Sequence, residues 1–312
     1  MKGFVSVLRF LMVVCAVFFV CSCVSDAGER FKIAWCVADV ADESEAFFTR
    51  ISREHADEVG VDLVVYDGQS DPQRQSNQIG NAIASGCQAV IINPIDAHAL
   101  IPAFQRAKDA GLVVICSQNM LVSDGEEFDV FVGIDNKITG ILAAKEMMRH
   151  FPDGAKIVII EGMAGSTPQI HRSEGFLETI EGTNIEILDR QSSPWSTAEA
   201  MSIMEDFLAR FPEIDGVYCH WDNGMVGVIE ALKGANRMEN MVLISVDGNQ
   251  NGFDMVRSGE TQASIFLNFE EMARKGIDAA VALLKGEKVE KHIIPDPIVI
   301  TKENVDEYHT GW

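Results

Sequence analysis

The stretch AVIINPIDAHALIPAFQRAKDAGLVVICS (89–117) contains two short apolar runs on either side of a segment with helical periodicity. The runs AVIINP (89–94) and LVVICS (112–117) are rich in β-branched residues and apolar on both faces, which is typical of strands covered by helices on both sides. The segment between them ends in DAG (109–111), and glycine commonly terminates a helix. The stretch therefore predicts a β–α–β unit with two parallel strands.

The same alternation of apolar runs and helical segments continues along most of the chain. No low-complexity linker and no short-period repeat interrupts it. The predicted fold class is α/β, with doubly wound parallel sheets. Further predicted strands lie at 31–37, 61–67, 130–135, 156–162, 185–190, 216–221, 241–247, 263–268 and 298–300, and predicted helices include 102–111, 139–151, 196–211 and 270–286.

The first twenty residues have the pattern of an export signal. Lys2 and Arg9 precede an unbroken apolar run over 10–20. A basic start followed by an apolar stretch of this length favours a secretory signal, because the stretch is too short to span a bilayer well.

The sequence VCSC that follows resembles a bacterial lipobox, with the small residue Ser22 directly before Cys23. The resemblance implies a signal peptide over 1–22, a lipidated Cys23 at the start of the mature protein and a tether over 23–30. An ordinary signal peptide cleaved near Ala27 and a short membrane anchor are the alternatives.

The charge of the chain excludes several kinds of partner. The 312 residues include 25 basic and 47 acidic ones, for a net charge of −22. Cleavage before Cys23 leaves 290 residues, and it removes two basic residues and no acidic one, so the net charge becomes −24. So acidic a surface argues against nucleic acid and against electrostatic attraction to anionic lipid. Only a lipid anchor is expected to hold the protein to a membrane.

Four cysteines lie in the part of the chain predicted to fold, and their spacing matches no zinc site. Cys36, Cys116 and Cys219 lie within predicted strands, and Cys87 just precedes one. We expect them to be small buried hydrophobes. A disulfide stays open as an alternative for an exported protein.

Five motifs follow one another along the chain: DGQSDPQRQSNQI (67–79), AVIINPIDAHALIPAFQRAKDAG (89–111), VGIDN (132–136), EGMAGSTPQIHRSEGF (161–176) and SVDGNQNG (245–252). In this order they resemble the type I periplasmic sugar-binding proteins of ABC transporters, akin to ribose- and galactose-binding proteins. Repressors of the lac type share the core, but they begin with a DNA-binding helix-turn-helix, and an export signal is predicted in that place here.

The resemblance implies two similar doubly wound lobes joined by a three-segment hinge, with the ligand in the cleft between them. In open α/β sheets, ligands bind beyond the carboxyl ends of the strands. Carried over, the N-terminal lobe comprises 31–134 and 268–296, the C-terminal lobe comprises 135–267 and 297–312, and the crossings lie near 133–136, 265–269 and 294–298.

In the first lobe, Ser117 and Gln118 end a predicted strand and are expected to face the ligand. The family often has an Asp-Arg pair at this position, so a hydroxyl and an amide replace a carboxylate and a guanidinium. Phe47 and Phe48 lie where the family has a Phe-Phe pair that stacks on sugar, although the spacing before them differs. Two core phenylalanines on a helix are the alternative interpretation.

In the second lobe, the resemblance places the family's ligand-binding arginine at Arg172 and a stacking aromatic at Trp195. Trp221 and Asp222 follow a predicted strand where ribose binders have Asn-Asp, and Asp247 matches the family's cleft aspartate. An aspartate at a strand end can also cap a helix.

The final crossing usually carries a binding glutamine, and this chain has Leu267 followed by Asn268 there. Asn268 is therefore a further candidate contact. Carboxylates accept hydrogen bonds from hydroxyls, a guanidinium donates to oxygens, and indole faces cover the C–H side of a sugar. Together the candidates predict a small neutral polyhydroxylated ligand such as a sugar, a deoxy-sugar or a nucleoside.

The resemblance predicts an exported, lipid-anchored monomer that delivers its ligand to ABC permease subunits, with no cofactor and no metal. One alternative is a sensing module that presents its ligand to a membrane receptor or a histidine kinase. Another is a hydrolytic enzyme, for which His171, His220 and Asp222 are the candidates. The chain lacks a Gly-x-Ser-x-Gly elbow, a metal-spaced histidine pair and a dinucleotide fingerprint, and both histidines are expected to face away from the ligand.

Overall fold

The computed structural model describes residues 30–312, which form two six-stranded sheets covered by helices. The predicted signal, tether and Cys23 lie outside these residues. The predicted α/β class and its two similar, mostly parallel sheets are confirmed. Within residues 30–312, no helix is both long and apolar enough to cross a membrane.

The first sheet has the strand order β2-β1-β3-β4-β5-β11, and all of its pairs are parallel. Its strands and covering helices run in chain order, with the last helix and strand returning from the far end of the chain. They are β1 (Lys32–Val37), α1 (Glu43–Val59), β2 (Asp62–Asp67), α2 (Pro72–Ala84), β3 (Ala89–Ile92), α3 (Ile101–Asp109), β4 (Val113–Gln118), β5 (Val130–Gly133), α9 (Phe269–Leu284) and β11 (His292–Ile293).

The second sheet has the order β7-β6-β8-β9-β10-β12, and its edge strand β12 is antiparallel to β10. Sequence analysis predicted this strand, at 298–300, but not that it runs antiparallel to its neighbour. The elements are α4 (Asn136–His150), β6 (Ala155–Glu161), α5 (Thr167–Ile180), β7 (Ile185–Ser192), α6 (Thr197–Arg210), β8 (Gly216–Cys219), α7 (Asp222–Gly234), β9 (Val242–Asp247), α8 (Gln250–Ser258), β10 (Ala263–Phe266), β12 (Ile298–Thr301) and a 3₁₀ turn (Val305–Glu307).

The strands are apolar on both faces because helices cover both faces of each sheet. In β1, Ile33, Trp35 and Val37 pack with residues of α1 and α9. Ala34 and Cys36 point to the opposite face and pack with residues of α2 and α3. Side chains alternate between the two faces of a strand, so both sets are buried.

The four cysteines within residues 30–312 are all buried and unpaired. Burial raises the pKa of the Cys116 thiol to about 12 and that of the Cys36 and Cys219 thiols still further. They therefore behave as small hydrophobes, as predicted, and form no disulfide with one another.

The chain passes between the two sheets at three places. These are the segments between β5 and α4, between β10 and α9, and between β11 and β12. With three crossings between them, the two sheets can face each other through the carboxyl ends of their strands.

Candidate ligand-binding site

The carboxyl ends of the strands in the two sheets line a cleft. Glu43 begins α1 in the first lobe, and Asn223 lies in the first turn of α7 in the second. The Asn223 amide donates a hydrogen bond of 2.8 Å to the Glu43 carboxylate. Glu43 lies six residues after the end of β1 and Asn223 lies four residues after the end of β8, so this contact brings the loops that follow these strands together across the cleft.

Ser117 and Gln118 end β4 at the first wall of this cleft. Both side chains are buried, and neither the Ser117 Oγ nor the Gln118 Nε2 has a hydrogen-bond partner in the protein. Gln118 also has a φ of +57°, in the left-handed region that side chains other than glycine rarely adopt. A buried donor without a partner and a strained backbone are both features of binding sites.

A buried amide network supports this wall. The Asn93 amide follows β3, donates to Glu45 Oε1 at 2.6 Å and accepts from the Asn119 amide at 3.0 Å. The fully buried Gln75 donates to the Asn93 and Cys36 carbonyls at 2.7 and 3.2 Å, and so ties the loops after β3 and β1 together. The network fixes Glu45 in the first turn of α1 at the strand ends.

Arg172 on α5 supplies the guanidinium of the second wall. Its side chain is buried, and Nε donates to Asn136 Oδ1 at 3.0 Å while Nη1 donates to the His220 carbonyl. Nη1 also lies 3.8 Å from Asp247 Oδ1. Asn136 is the first residue of α4 and lies next to the crossing between β5 and α4. Its hydrogen bond therefore holds the Arg172 side chain near that crossing.

Asp247 ends β9 and lies mostly buried beside Arg172. Burial raises the pKa of Asp247 well above its usual range; Arg172 opposes this shift, and the carboxylates of Asp222 and Asp42 reinforce it. Its φ of +118° is again in the left-handed region. Of seven described non-glycine residues with positive φ, three are Gln118, Trp195 and Asp247, all predicted ligand contacts. Backbone strain of this kind concentrates at functional sites.

Trp195 and Trp221 form an aromatic pair in the second lobe, with ring centroids 5.5 Å apart and an interplanar angle of 87°. Glycines make room for both rings. A Cβ at Gly162 would lie 1.9 Å from the Trp195 ring, and one at Gly224 would lie 2.4 Å from the Trp221 ring. The Trp221 Nε1 is buried without a partner, so this pair offers an indole donor as well as apolar surface.

Asp222, predicted to bind ligand, has a different role in the structure. It is fully buried, and its carboxylate accepts hydrogen bonds from the Ser245 and Ser264 hydroxyls and from the backbone amides of Gly248 and Asn249. Burial raises its pKa to about 6, which these donors oppose. Since the carboxylate is fully used inside the lobe, we assign it to holding the β9–α8 turn.

Asn268 is also occupied by its own helix. Its Oδ1 accepts from the Glu271 backbone amide at 3.1 Å, and its amide donates to the Glu271 carboxylate at 3.1 Å. It is therefore the N-cap of α9 in this structure, and its contact with ligand stays a prediction.

Phe47 and Phe48 are both buried against other aromatic residues. Phe48 stacks on Trp35 at 5.1 Å, and Phe47 stacks on Trp312 at 6.0 Å, with the Arg50 guanidinium 5.0 Å from the ring centre. Both therefore serve as core residues on α1. That they also stack on ligand stays a prediction.

The histidines do not form a catalytic arrangement. His220 is fully buried beside the Tyr218 ring, and neither ring nitrogen has a hydrogen-bond partner. Burial lowers its pKa well below the usual value, with Arg172 and Arg190 acting in the same direction, so the ring is neutral. His171 lies on α5 near Glu174. Among residues 30–312, no group of three or more side chains could hold a metal ion.

A sequence profile of the periplasmic binding protein domain matches residues 40–288. This range includes both walls of the cleft and covers most of the chain. The chain belongs to the periplasmic binding protein family.

Named relatives in this family cover most of the chain. The ribose import binding protein of Escherichia coli is 27% identical over 252 residues, which is 81% of this chain and 84% of the relative. A putative rhizopine-binding protein of Rhizobium meliloti is 30% identical over 255 residues, 80% of this chain and 82% of the relative. These are binding proteins, so the prediction that the chain binds a ligand without transforming it is confirmed.

Solved periplasmic binding proteins have the same fold. A solute-binding protein of an ABC transporter from Actinobacillus succinogenes, with bound D-allose, is 25% identical, with a TM-score of 0.84 over 89% of this chain and all of that one. One from Mycobacterium smegmatis with bound glycerol is 26% identical, with a TM-score of 0.83 over 89% of this chain and 96% of that one. The resemblance to type I sugar-binding proteins is therefore confirmed.

Sequence analysis missed four polar residues of the cleft walls in this periplasmic binding protein. Asn93, Asn119 and Asn136 each lie within three residues of a strand end, and Glu45 lies eight residues after the end of β1. The signal that could have found three of them is the one used for Gln118, a polar side chain directly after an apolar run. Glu45 carries no such signal, because seven residues separate it from the end of β1.

Proposed function

We propose that the chain captures a sugar or a related polyol in the cleft and delivers it to an ABC importer. The observation that carries the proposal is the convergence of unpartnered buried donors with the Arg172–Asp247 pair at the strand ends. Hydroxyl groups can donate to the carboxylate and accept from the guanidinium, and the indoles cover apolar C–H surface. The relatives named for ribose import and the structure with bound D-allose support this ligand class.

The lobe boundaries belong to the same proposal. We take 31–134 with 268–296 as the N-terminal lobe and 135–267 with 297–312 as the C-terminal lobe, acting as one monomer. Scattering and sedimentation of the purified protein test the monomer, and a dimer at micromolar concentration would contradict it.

Calorimetry on cleft variants tests the ligand site. The first step identifies a ligand by mass spectrometry of small molecules released from the purified protein, supported by a thermal-shift screen of sugars, polyols and nucleosides. Asp247→Ala or Arg172→Ala should weaken its binding by about 2–4 kcal/mol, because ligand groups lose charged partners in a buried site. Ser117→Ala should cost only about 0.5–1.5 kcal/mol. Near-native affinity in both charge variants would place the site elsewhere.

A lipid anchor at Cys23 completes the proposal, since it would keep the binding protein near its permease. It rests on the VCSC sequence after the apolar run. Replacing Cys23 with Ser should release the protein from membranes into the soluble fraction, and continued membrane association of the variant would contradict the anchor.

The sensing alternative predicts a different partner. Relatives named for ribose import favour delivery to a permease. Genes for a permease and an ATPase beside this one would agree with import, whereas a neighbouring histidine kinase or chemoreceptor gene would support sensing.

A further inference from the structure

Glu161 is a buried carboxylate of the second lobe that none of the ligand contacts described above explains. It is the last residue of β6, and its side chain is only 5% exposed. The carboxylate accepts four hydrogen bonds: from Ser173 at 2.6 Å, Gln169 at 2.9 Å, Arg190 at 3.2 Å and Ser192 at 3.3 Å. Four bonds use the whole acceptor capacity of a carboxylate, so none is left for a ligand.

The four donors belong to two elements on either side of β6. Ser173 and Gln169 lie on α5, whereas Arg190 and Ser192 lie on β7. Each carboxylate oxygen accepts one bond from each element: Oε1 from Ser173 and Arg190, and Oε2 from Gln169 and Ser192. Glu161 therefore fastens α5 to the carboxyl edge of the sheet through both of its oxygens.

These bonds fix the rotation of α5 about its own axis. Gln169 and Ser173 are four residues apart and so lie on one side of the helix, and Arg172 points about 100° away from Ser173. On the far side, α5 touches α4, because a Cβ at Gly175 would lie 2.1 Å from the Lys137 carbonyl. Since α5 is held from both sides, the direction in which Arg172 leaves the helix is fixed.

The contacts of Arg172 depend on this direction. Its Nε donates to Asn136 Oδ1 at 3.0 Å, and its Nη1 donates to the His220 carbonyl. A guanidinium about 9 Å from the helix axis moves by about 1.5 Å when the helix turns by about 10°, which is enough to break such bonds. A small rotation of α5 would therefore displace the cation of the second wall.

We propose that Glu161 is a positioning residue for Arg172, because its carboxylate holds α5 in the rotation that presents the guanidinium to the cleft. This inference rests on the proposed function, since it explains how the second wall is prepared for a polyol. Glu161 itself does not contact the ligand. A guanidinium that is already oriented raises affinity, because the binding-competent arrangement is populated before the ligand arrives.

The orientation of Arg172 is measurable in the ligand-free protein. A buried, hydrogen-bonded Nε–H gives a protected resonance in a ¹H–¹⁵N NMR spectrum, and its loss in Arg172→Lys assigns it. In Glu161→Gln the amide nitrogen cannot accept, so α5 loses one of its two bonds, and this proton should exchange with water at least about 10-fold faster. Ser173→Ala removes one bond from α5 and should act in the same direction. Arg190→Gln keeps both bonds from α5 and should change the exchange rate by less than about twofold.

Glu146→Gln is the matched control for a loss of stability alone. Glu146 is a buried carboxylate of the same lobe, and it accepts from Arg149 at 2.6 and 3.0 Å. It lies on α4 about 15 Å from Asn136, at 1.5 Å per residue. Both Glu→Gln variants should lower the melting temperature by a few degrees, but Glu146→Gln should leave the Arg172 resonance and ligand affinity unchanged.

Isothermal titration shows whether Glu161 acts through Arg172. The probes are D-ribose, D-allose and myo-inositol, and Glu161→Gln should weaken binding of the tightest of them by about 5- to 30-fold. In an Arg172→Ala background, the same substitution should weaken binding further by less than about twofold, because no guanidinium remains to be positioned. Such non-additivity is expected of two residues that act as one unit.

The outcomes separate this inference from the proposed function. An unchanged Arg172 resonance in Glu161→Gln, or equal losses of affinity with and without the guanidinium, would overturn the inference and leave the proposed function standing. Faster exchange together with no binding of any sugar or polyol to the native protein would overturn the proposed function and leave the positioning of Arg172 standing. If Glu161→Gln does not fold, the comparison of Ser173→Ala with Arg190→Gln decides the inference in its place.

Discussion

Asp222 and Asp247 follow neighbouring strands of the second sheet at equivalent positions, yet their surroundings give them opposite roles. Two serines on adjacent strands, Ser245 and Ser264, aim their hydroxyls at Asp222. Asp247 instead has Arg172 as its near neighbour, at 3.8 Å, and keeps acceptor capacity for the cleft. One aspartate therefore holds the fold and the other is available to a ligand.

This difference predicts opposite effects of two substitutions. Asp222→Ala leaves two hydroxyls and two backbone amides without an acceptor, so it should lower the free energy of unfolding by about 3–5 kcal/mol. Asp247→Asn removes a carboxylate whose charge burial disfavours, so it should leave stability unchanged or slightly raised while it weakens ligand binding. Urea unfolding of the ligand-free variants measures both. A stable Asp222→Ala protein that fails to bind ligand would show that Asp222 contacts the ligand and does not mainly stabilise the fold.

Glu45 gives the ligand-free protein a pH-dependent stability. Its pKa in the folded state is about 8, above the unfolded value, so the folded protein binds more protons than the unfolded chain between about pH 4.5 and 8. Stability from this group is therefore present at low pH and is lost as pH rises through that window. The loss is at most about 5 kcal/mol, given about 1.4 kcal/mol per pKa unit.

Glu45→Gln should remove this dependence. The melting temperature of the ligand-free variant should exceed that of the native protein by an amount that grows from pH 5 to 8 and then stays constant. Glu54→Gln, on the same helix with a half-exposed carboxylate, is the control and should follow the native protein throughout. A constant difference between Glu45→Gln and native protein across that range would show that folding does not raise the pKa of Glu45.

At the scale of elements, apolar runs predicted nearly all of the strands, because burial on both faces leaves a continuous apolar signal. The polar residues directly after those runs predicted the location of Ser117, Gln118, Trp221 and Asp247 at strand ends. The two-residue strand β11 was missed because it is too short to show a pattern. Neither the role of Asp222 nor the contact of Phe47 with Trp312 could be predicted, since each depends on residues brought together only by the fold.

The packing of α4 against α5 is a further example, and it positions Arg172. A Cβ at Gly140 would lie 2.1 Å from the Arg172 carbonyl, and one at Gly175 would lie 2.1 Å from the Lys137 carbonyl. The two glycines thus allow the helix backbones to touch. This contact places Arg172 beside Asn136, so the geometry of the guanidinium depends on two residues that carry no side chain.

Gly140→Ala should therefore separate the helices and move Arg172. We expect a loss of about 1–3 kcal/mol in stability from overpacking, together with weaker ligand binding. Gly80→Ala is the control, because Gly80 lies within α2 and an added Cβ there meets no atom within 4 Å. The control should stabilise the protein by about 0.5–1 kcal/mol. Equal effects of the two substitutions on unfolding would contradict the close packing.

At the scale of the whole molecule, contacts between the lobes hold the strand ends together. Besides the Asn223–Glu43 hydrogen bond, the segment after β12 reaches across from the second lobe. The Trp312 carbonyl accepts from the Gln250 backbone amide at 2.6 Å, while its ring stacks on Phe47 and packs edge-on against Phe269. Trp312 therefore links the amino end of α8 to α1 and α9.

We expect these contacts to form only in a closed arrangement of the lobes that a ligand favours, because a ligand shifts an equilibrium only through contacts that differ between its states. Trp312→Ala should shift the ligand-free population toward the open form and weaken ligand binding by about 3- to 10-fold, since the competent state becomes less populated. Trp312→Phe keeps an aromatic ring against Phe47 and should lie close to the native protein. Small-angle scattering with and without ligand measures the change: the native radius of gyration should fall on binding, and the Ala variant should start from a larger value. Equal curves for native and Ala proteins, with equal affinities, would show that Trp312 does not hold the lobes together.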